Sequence, residues 1–155
     1  MAAWQIPLQR NGDGHPMALN NLHATLIFMG EVAVERLEQL KLAAEEVSSE
    51  KFHISFDIAR YWGGSHVIYA APIVVPAELI KLHALLEQRL RHHHFNFDSR
   101  IYKPHVTLLR NAHWTDEPLP EMQSVSWFVR EFALVSSVSS EAGMQYEILA
   151  KFSLK

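Results

Sequence analysis

N-L-H-A-T-L-I-F at residues 21–28 and K-P-H-V-T-L-L-R at residues 103–110 are the two stretches on which the reading of this chain turns. Each contains His-x-Thr-Leu, as His23-Ala24-Thr25-Leu26 and as His105-Val106-Thr107-Leu108. The chain holds three threonines, Thr25, Thr107 and Thr115, and two of them stand two residues after a histidine. The odds of two such tetrapeptides arising by chance are on the order of a few in ten thousand, so the repeat is a signal. In a strand, residues i and i+2 project to one face. Each motif therefore offers an imidazole beside a hydroxyl, with Ala24 and Val106 turned toward a core.

Working outward, residues 19–30 read as a strand rich in apolar residues. Residues 34–47 carry Val34, Leu37, Leu40, Ala44 and Val47 at spacings of three and four, which predicts an amphipathic helix. Phe52, Ile54, Phe56 and Ile58 alternate with polar neighbours and predict a strand; after the turn at Gly63-Gly64, residues 66–71 return as its hairpin partner. Leu79, Leu82, Leu86 and Leu90 mark a second helix ending near His92-His93-His94. Residues 104–109 read as a strand, and residues 11–15 and 111–120 as loops. Residues 126–137 and 144–154 form a closing strand pair, with Tyr146, Ile148, Ala150 and Phe152 on one face. The predicted class is α+β with largely antiparallel sheets.

At 155 residues, 48% apolar and 20% charged, the chain has the material for one domain or two small lobes sharing a core. No apolar run approaches the ~20 residues a membrane-spanning helix needs, and no secretory signal is visible at the start. Zero cysteines exclude disulfides, thiolate metal sites and cysteine nucleophiles. A net charge of −3 argues against gripping long nucleic acid through many phosphates and leaves a local pocket for a small anion or an RNA tip. Ten histidines invite a metal reading. His92-His93-His94 does not support it, because successive helical residues point about 100° apart and cannot share one metal. No metal and no cofactor are expected. His53 is expected on solvated surface, and His15, His66, His83 and His113 have no paired context. Trp62 and Tyr102 are candidates either for packing or for stacking on a base.

Two imidazoles on opposite sides of one substrate atom make an acid–base pair for in-line displacement. Threonine hydroxyls can donate to phosphate oxygens. Arg110, five residues after His105, is expected on the same face, adding charge-assisted hydrogen bonds; Phe28 holds the equivalent place in the first repeat. The set suits phosphoryl transfer without a metal.

These paired motifs, with Asn21-Leu22 before the first and Met29-Gly30-Glu31-Val32 after it, resemble the 2H phosphoesterase superfamily and, within it, the RNA 2′,3′-cyclic phosphodiesterases, also called 2′-5′ RNA ligases. The resemblance runs from about residue 19 to the C-terminus. It implies a single two-lobed domain over residues 1–155, with a pseudo-two-fold axis and the motifs on facing strands of a central cleft. It also implies cofactor-free hydrolysis of a ribose 2′,3′-cyclic phosphate to a 2′-phosphate, with reversible 2′-5′ joining of RNA ends. His23 would be the proton donor to the departing 3′-oxygen and His105 the acceptor that activates water. Thr25, Thr107 and Arg110 would hold the phosphate. A nucleotide-binding module without turnover, or a phosphodiesterase for small cyclic nucleotides, are the alternatives. The family's usual first strand has no counterpart before residues 2–4, so the N-terminal strand is expected to be missing. A cytoplasmic monomer acting on RNA ends or cyclic nucleotides is expected, with no membrane or protein partner, unless that missing strand leaves a sheet edge exposed.

Overall fold

The chain begins with a helix that its apolar pattern does not announce. In the computed structural model, which describes residues 1–115, 118–141 and 143–155, α1 runs Ala2–Gly12 despite Pro7 inside it. It buries Trp4, Gln5, Leu8 and Gly12, a stripe at spacings of one, three and four that includes a polar side chain. Asp13 caps it in the left-handed region at φ 46°, so the expected loop at residues 11–15 starts two residues late. The elements then follow as β1 (His15–Pro16), α2 (Leu37–Glu45), β2 (Phe52–Phe56), β3 (Ile58–Trp62), β4 (Val67–Ala71) and α3 (Ala77–His92). The chain closes with β5 (Val106–Arg110), β6 (Val125–Val129), β7 (Glu131–Ser140) and β8 (Gly143–Ser153). The α+β class with antiparallel sheets agrees with the sequence reading.

The chain divides into two compact units. The first comprises Met1–Thr25, Ser55–Val74 and Lys103–Trp127. Its centre is an antiparallel four-stranded sheet in the order β1-β5-β4-β3. Tyr69 pairs with Thr107 but the next residue back, Ile68, pairs with Leu109, so Leu108 is an extra residue that bulges β5. Leu108 and Leu109 are consequently both buried, side by side in sequence. Gln5 ties α1 to this sheet: its amide donates to the carbonyls of Met17 at 2.8 Å and Leu108 at 3.0 Å. At Gly14 a Cβ would stand 2.9 Å from the Cβ of Ala112, so the close approach of these segments requires glycine.

The second unit comprises Leu26–Ile54, Val75–Tyr102 and Phe128–Lys155. A 3-10 turn at Val34–Arg36 leads into α2, so the expected helix at residues 34–47 is present, although Val34 is exposed. In α3 the leucines at 79, 82, 86 and 90 are all buried, each worth about 2 kcal/mol relative to exposure. Arg89, Arg91 and His92 occupy its last turn, where the helix dipole favours cations. His94 lies in the left-handed region at φ 58°. Arg36 fastens this end, donating to the carbonyls of His93 at 2.8 Å and His94 at 3.2 Å, with its guanidinium 3.9 Å above the Phe95 ring. The backbone at the end of the histidine run is thus anchored, while the side chains of His92 and His94 are exposed. β7 and β8 form an antiparallel hairpin.

Four expectations need correction. The strand expected through Phe52, Ile54, Phe56 and Ile58 ends at Phe56, and residues 67–71 pair instead with β3, Ile58–Trp62. Residues 19–30 make no continuous strand: a 3-10 turn at Leu19–Asn21 is followed by one isolated bridge at Ala24. The expected strand at 126–137 is broken at Arg130 into β6 and β7. The shared face of β8 is interrupted because Leu134 pairs with Ala150 and Val135 with Ile148, leaving Leu149 over; Phe152 is buried while Ile148 is exposed. Within the expected loop at 111–120, Asp116 and Glu117 lie outside the described residues.

Candidate active site

His23, Ala24 and Thr25 of the first motif and the whole of the second belong to the first unit, where Ala24 and Val106 form an antiparallel bridge; Leu26 belongs to the second unit. The central residues of the two tetrapeptides thus face each other. In antiparallel register this sets His23 against Thr107 and Thr25 against His105, four side chains on one face with Val106 buried behind them. A local two-fold relation between the motifs follows from that single pairing. His23 and Thr25 are exposed, while His105 and Thr107 are half-buried.

The two imidazoles are held in the same way. Nδ1 of His23 donates to the carbonyl of Asn21 at 2.6 Å, and Nδ1 of His105 donates to the carbonyl of Lys103 at 2.8 Å. A carbonyl only accepts, so each Nδ1 carries a hydrogen. Nε2 is therefore the nitrogen at which each ring gives or takes a proton, the tautomer being fixed by the backbone two residues upstream. Each motif supplies its own anchor, because that carbonyl belongs to the same stretch of chain.

The surroundings of His105 include aromatic rings. Trp62 lies over Tyr69 with ring centroids 3.9 Å apart, and both meet the His105 ring edge-on, at 4.7 Å and 5.5 Å. Burial pushes the Tyr69 phenol up, and the charge of Arg60, its partner across β3 and β4, opposes that push. Trp62 was expected either to pack or to stack on a base, and it stands against a motif histidine. Tyr102 instead lies in the second unit, stacked on His83 at 4.2 Å with its hydroxyl buried, and burial raises its pKa. Burial also lowers the pKa of His83, against the opposing pull of Glu87.

Arg110 is exposed and pairs with His15 across β1 and β5. Unbroken alternation would not bring it to the motif face, since an offset of five from His105 ends on the opposite side. The bulge at Leu108 reverses the alternation, turning Leu108 and Leu109 inward and returning Arg110 to the side of Thr107. Alternation along the sequence therefore does not support the expected face; the shared side follows only from the register shift. Phe28, the counterpart of Arg110 in the first repeat, falls in the second unit.

Four further histidines have partners that linear spacing could not reveal. His66 donates from Nδ1 to the Tyr61 hydroxyl at 3.0 Å, since that hydroxyl itself donates to the Ala112 carbonyl at 3.0 Å. Its ring lies 4.8 Å from that of His113. His53 stacks on Phe128 at 4.5 Å, and His93 meets Glu46 at 3.0 Å. Among the described residues no three histidines or carboxylates gather in a way that could hold a metal ion. No described helix is long and apolar enough to cross a membrane.

Residues 2–141 match the family described as the 2′-5′ RNA ligase superfamily. The RNA 2′,3′-cyclic phosphodiesterase of Escherichia coli K12 is 32% identical over 141 residues, covering 91% of this chain and 80% of that protein. The RNA 2′,3′-cyclic phosphodiesterase of Archaeoglobus fulgidus is 28% identical over 146 residues, covering 85% and 79% respectively. The crystal structure of E. coli LigT complexed with 3′-AMP superposes with a TM-score of 0.85 at 28% identity, covering 100% of this chain and 93% of that one. These matches agree with the resemblance carried by the two His-x-Thr-Leu motifs. The chain belongs to the 2′-5′ RNA ligase superfamily.

Proposed function

We propose that this chain hydrolyses a 2′,3′-cyclic phosphate at the end of an RNA to a 2′-phosphate, using two histidines and no metal or cofactor. The observation that carries the reading is the Ala24–Val106 bridge, which sets two Nδ1-anchored imidazoles and two threonine hydroxyls on one face. The relatives named as RNA 2′,3′-cyclic phosphodiesterases support the substrate class. In this reading the chain is one domain whose two compact units are its lobes, acting on RNA in the cytoplasm.

The steps follow from the proton inventory. His105, neutral at Nε2, takes a proton from water as the water oxygen bonds to phosphorus. The bond from phosphorus to the 3′-oxygen breaks, and His23, protonated at both nitrogens, gives its Nε2 proton to that oxygen. The products are a 3′-hydroxyl and a 2′-phosphate, with the two histidines left in exchanged protonation states that solvent resets. Thr25, Thr107 and Arg110 donate to the non-bridging oxygens, where charge builds as water adds. When the 5′-hydroxyl of a second RNA takes the place of water, the same steps give a 2′-5′ phosphodiester.

Single substitutions His23→Ala and His105→Ala each remove one proton carrier. Each is expected to lower turnover of a 2′,3′-cyclic nucleotide by at least about 100-fold, the lower range of general acid–base catalysis. EDTA is expected to leave the native rate unchanged. Full activity in either variant, or loss of activity in EDTA that zinc restores, refutes the mechanism.

A further inference from the structure

The four-stranded sheet of the first unit carries a charge that the steps above do not use. Its strands contain no aspartate or glutamate, although the chain as a whole has a net charge of −3. The formal charges on those strands are Arg110 on β5 and Arg60 on β3, both exposed. Strand register decides which face Arg60 shares. Arg60 pairs with Tyr69, and Tyr69 pairs with Thr107; residues directly opposite one another project to the same side. Ile58 and Trp62, two residues either way along β3, pack against Val67, Tyr69 and Ala71 on that side.

Arg60 therefore stands on the face of Thr107, two strands away, about 10 Å at the usual strand spacing. Tyr69 stands between them in register, with the Trp62 indole lying on it and reaching His105. Among the described residues Arg60 has no ion-pair partner. A substrate with its reacting phosphorus at the two motifs, continuing by one nucleotide over the indole, brings its next phosphate to this guanidinium. The planar fork matches two non-bridging oxygens of a phosphodiester.

We propose that Arg60 binds the phosphodiester joining the terminal nucleotide to the rest of the RNA, so that an RNA end is preferred over a cyclic mononucleotide. The proposal rests on the cyclic-phosphate reading of His23 and His105 and adds to it a subsite on β3 for a second phosphate.

The test compares kcat/KM for a 2′,3′-cyclic mononucleotide and for a dinucleotide ending in the same cyclic phosphate. The native chain is expected to favour the dinucleotide. Arg60→Ala is expected to lower the dinucleotide-to-mononucleotide ratio about tenfold, the scale of one charge-assisted hydrogen bond, and Arg60→Lys to restore part of it. The salt dependence of kcat/KM for the dinucleotide should become shallower in Arg60→Ala by about 0.7 in log–log slope, as for one lost contact to a single strand. A ratio unchanged by Arg60→Ala overturns the subsite even if both substrates turn over. If the native chain turns over neither substrate, the cyclic-phosphate reading fails instead. Calorimetric binding of the 2′-phosphate-ended dinucleotide against the mononucleotide 2′-phosphate then tests Arg60 alone. Loss of the dinucleotide's advantage in Arg60→Ala supports the subsite, and an undiminished advantage, or none in the native chain, overturns it.

Discussion

Gln5 connects α1 to Met17 and to β5, which carries the second His-x-Thr-Leu motif, and replacing it tests whether that connection holds the first unit together. Its side chain is 6% exposed and its amide makes two hydrogen bonds, to Met17 and to Leu108. Gln5→Ala removes both. The Leu108 carbonyl keeps the Met17 N–H at 2.8 Å, so its loss is one bond of two. At about 1 kcal/mol for each bond, and about 1 kcal/mol more for the vacated stem, the expected loss is about 3 kcal/mol. With a urea slope near 2 kcal/mol per molar, the unfolding midpoint falls by about 1.5 M. Gln5→Glu is nearly isosteric but its carboxylate donates nothing and faces two carbonyl oxygens. It should be less stable than Gln5→Ala at pH 7. Its deficit should narrow as pH falls, because such a carboxyl has a raised folded-state pKa and regains a donor when protonated. A loss below about 0.5 kcal/mol for Gln5→Ala in urea unfolding followed by circular dichroism, or native stability for Gln5→Glu at pH 7, refutes the reasoning.

Two further predictions concern the second unit. The folded-state pKa of His83 lies below its unfolded value because of burial, so the unfolded chain takes up its proton first. The stability that His83 contributes is complete above about pH 6.5 and is lost as pH falls through that value toward the folded pKa. His83→Phe, which keeps the stack on Tyr102 and removes the titration, should flatten the melting temperature between pH 7.5 and 5.5 relative to the native chain; parallel curves contradict this. Arg36→Ala removes two donors to the end of α3 and the cation above Phe95, and should cost about 2 kcal/mol in urea unfolding. Arg36→Lys should recover only part of it, because an ammonium cannot span both carbonyls as the guanidinium fork does.

What could be read from sequence follows from how local each device is. The leucine spacing of α3 is a property of one segment, and all four leucines are buried as that spacing requires. The two motifs are legible because a scarce residue repeats at a fixed distance from histidine, and each anchors its own imidazole to a carbonyl two residues back. α1 is hidden because Pro7 argues against a helix and its buried face contains Gln5, whose partners are 12 and 103 residues distant. The bulges at Leu108 and Leu149 are invisible for a different reason. Each depends on how two strands register, and each reverses the alternation on which side-chain faces are predicted. That is why Arg110 needed the bulge to reach its face, and why Ile148 is exposed although Phe152 is buried. Trp62, Tyr69 and Arg60 gain their positions through pairing across three strands, which no linear pattern in the chain displays.

The central claim is that His23 and His105 act from opposite sides of one phosphorus, with the 3′-oxygen as leaving group. Phosphorus NMR of the product from a 2′,3′-cyclic-phosphate-ended dinucleotide tests it most directly. A single 2′-phosphate resonance is expected, formed at an undiminished rate in EDTA and at least about 100-fold more slowly with His23→Ala or His105→Ala. A 3′-phosphate product would contradict it.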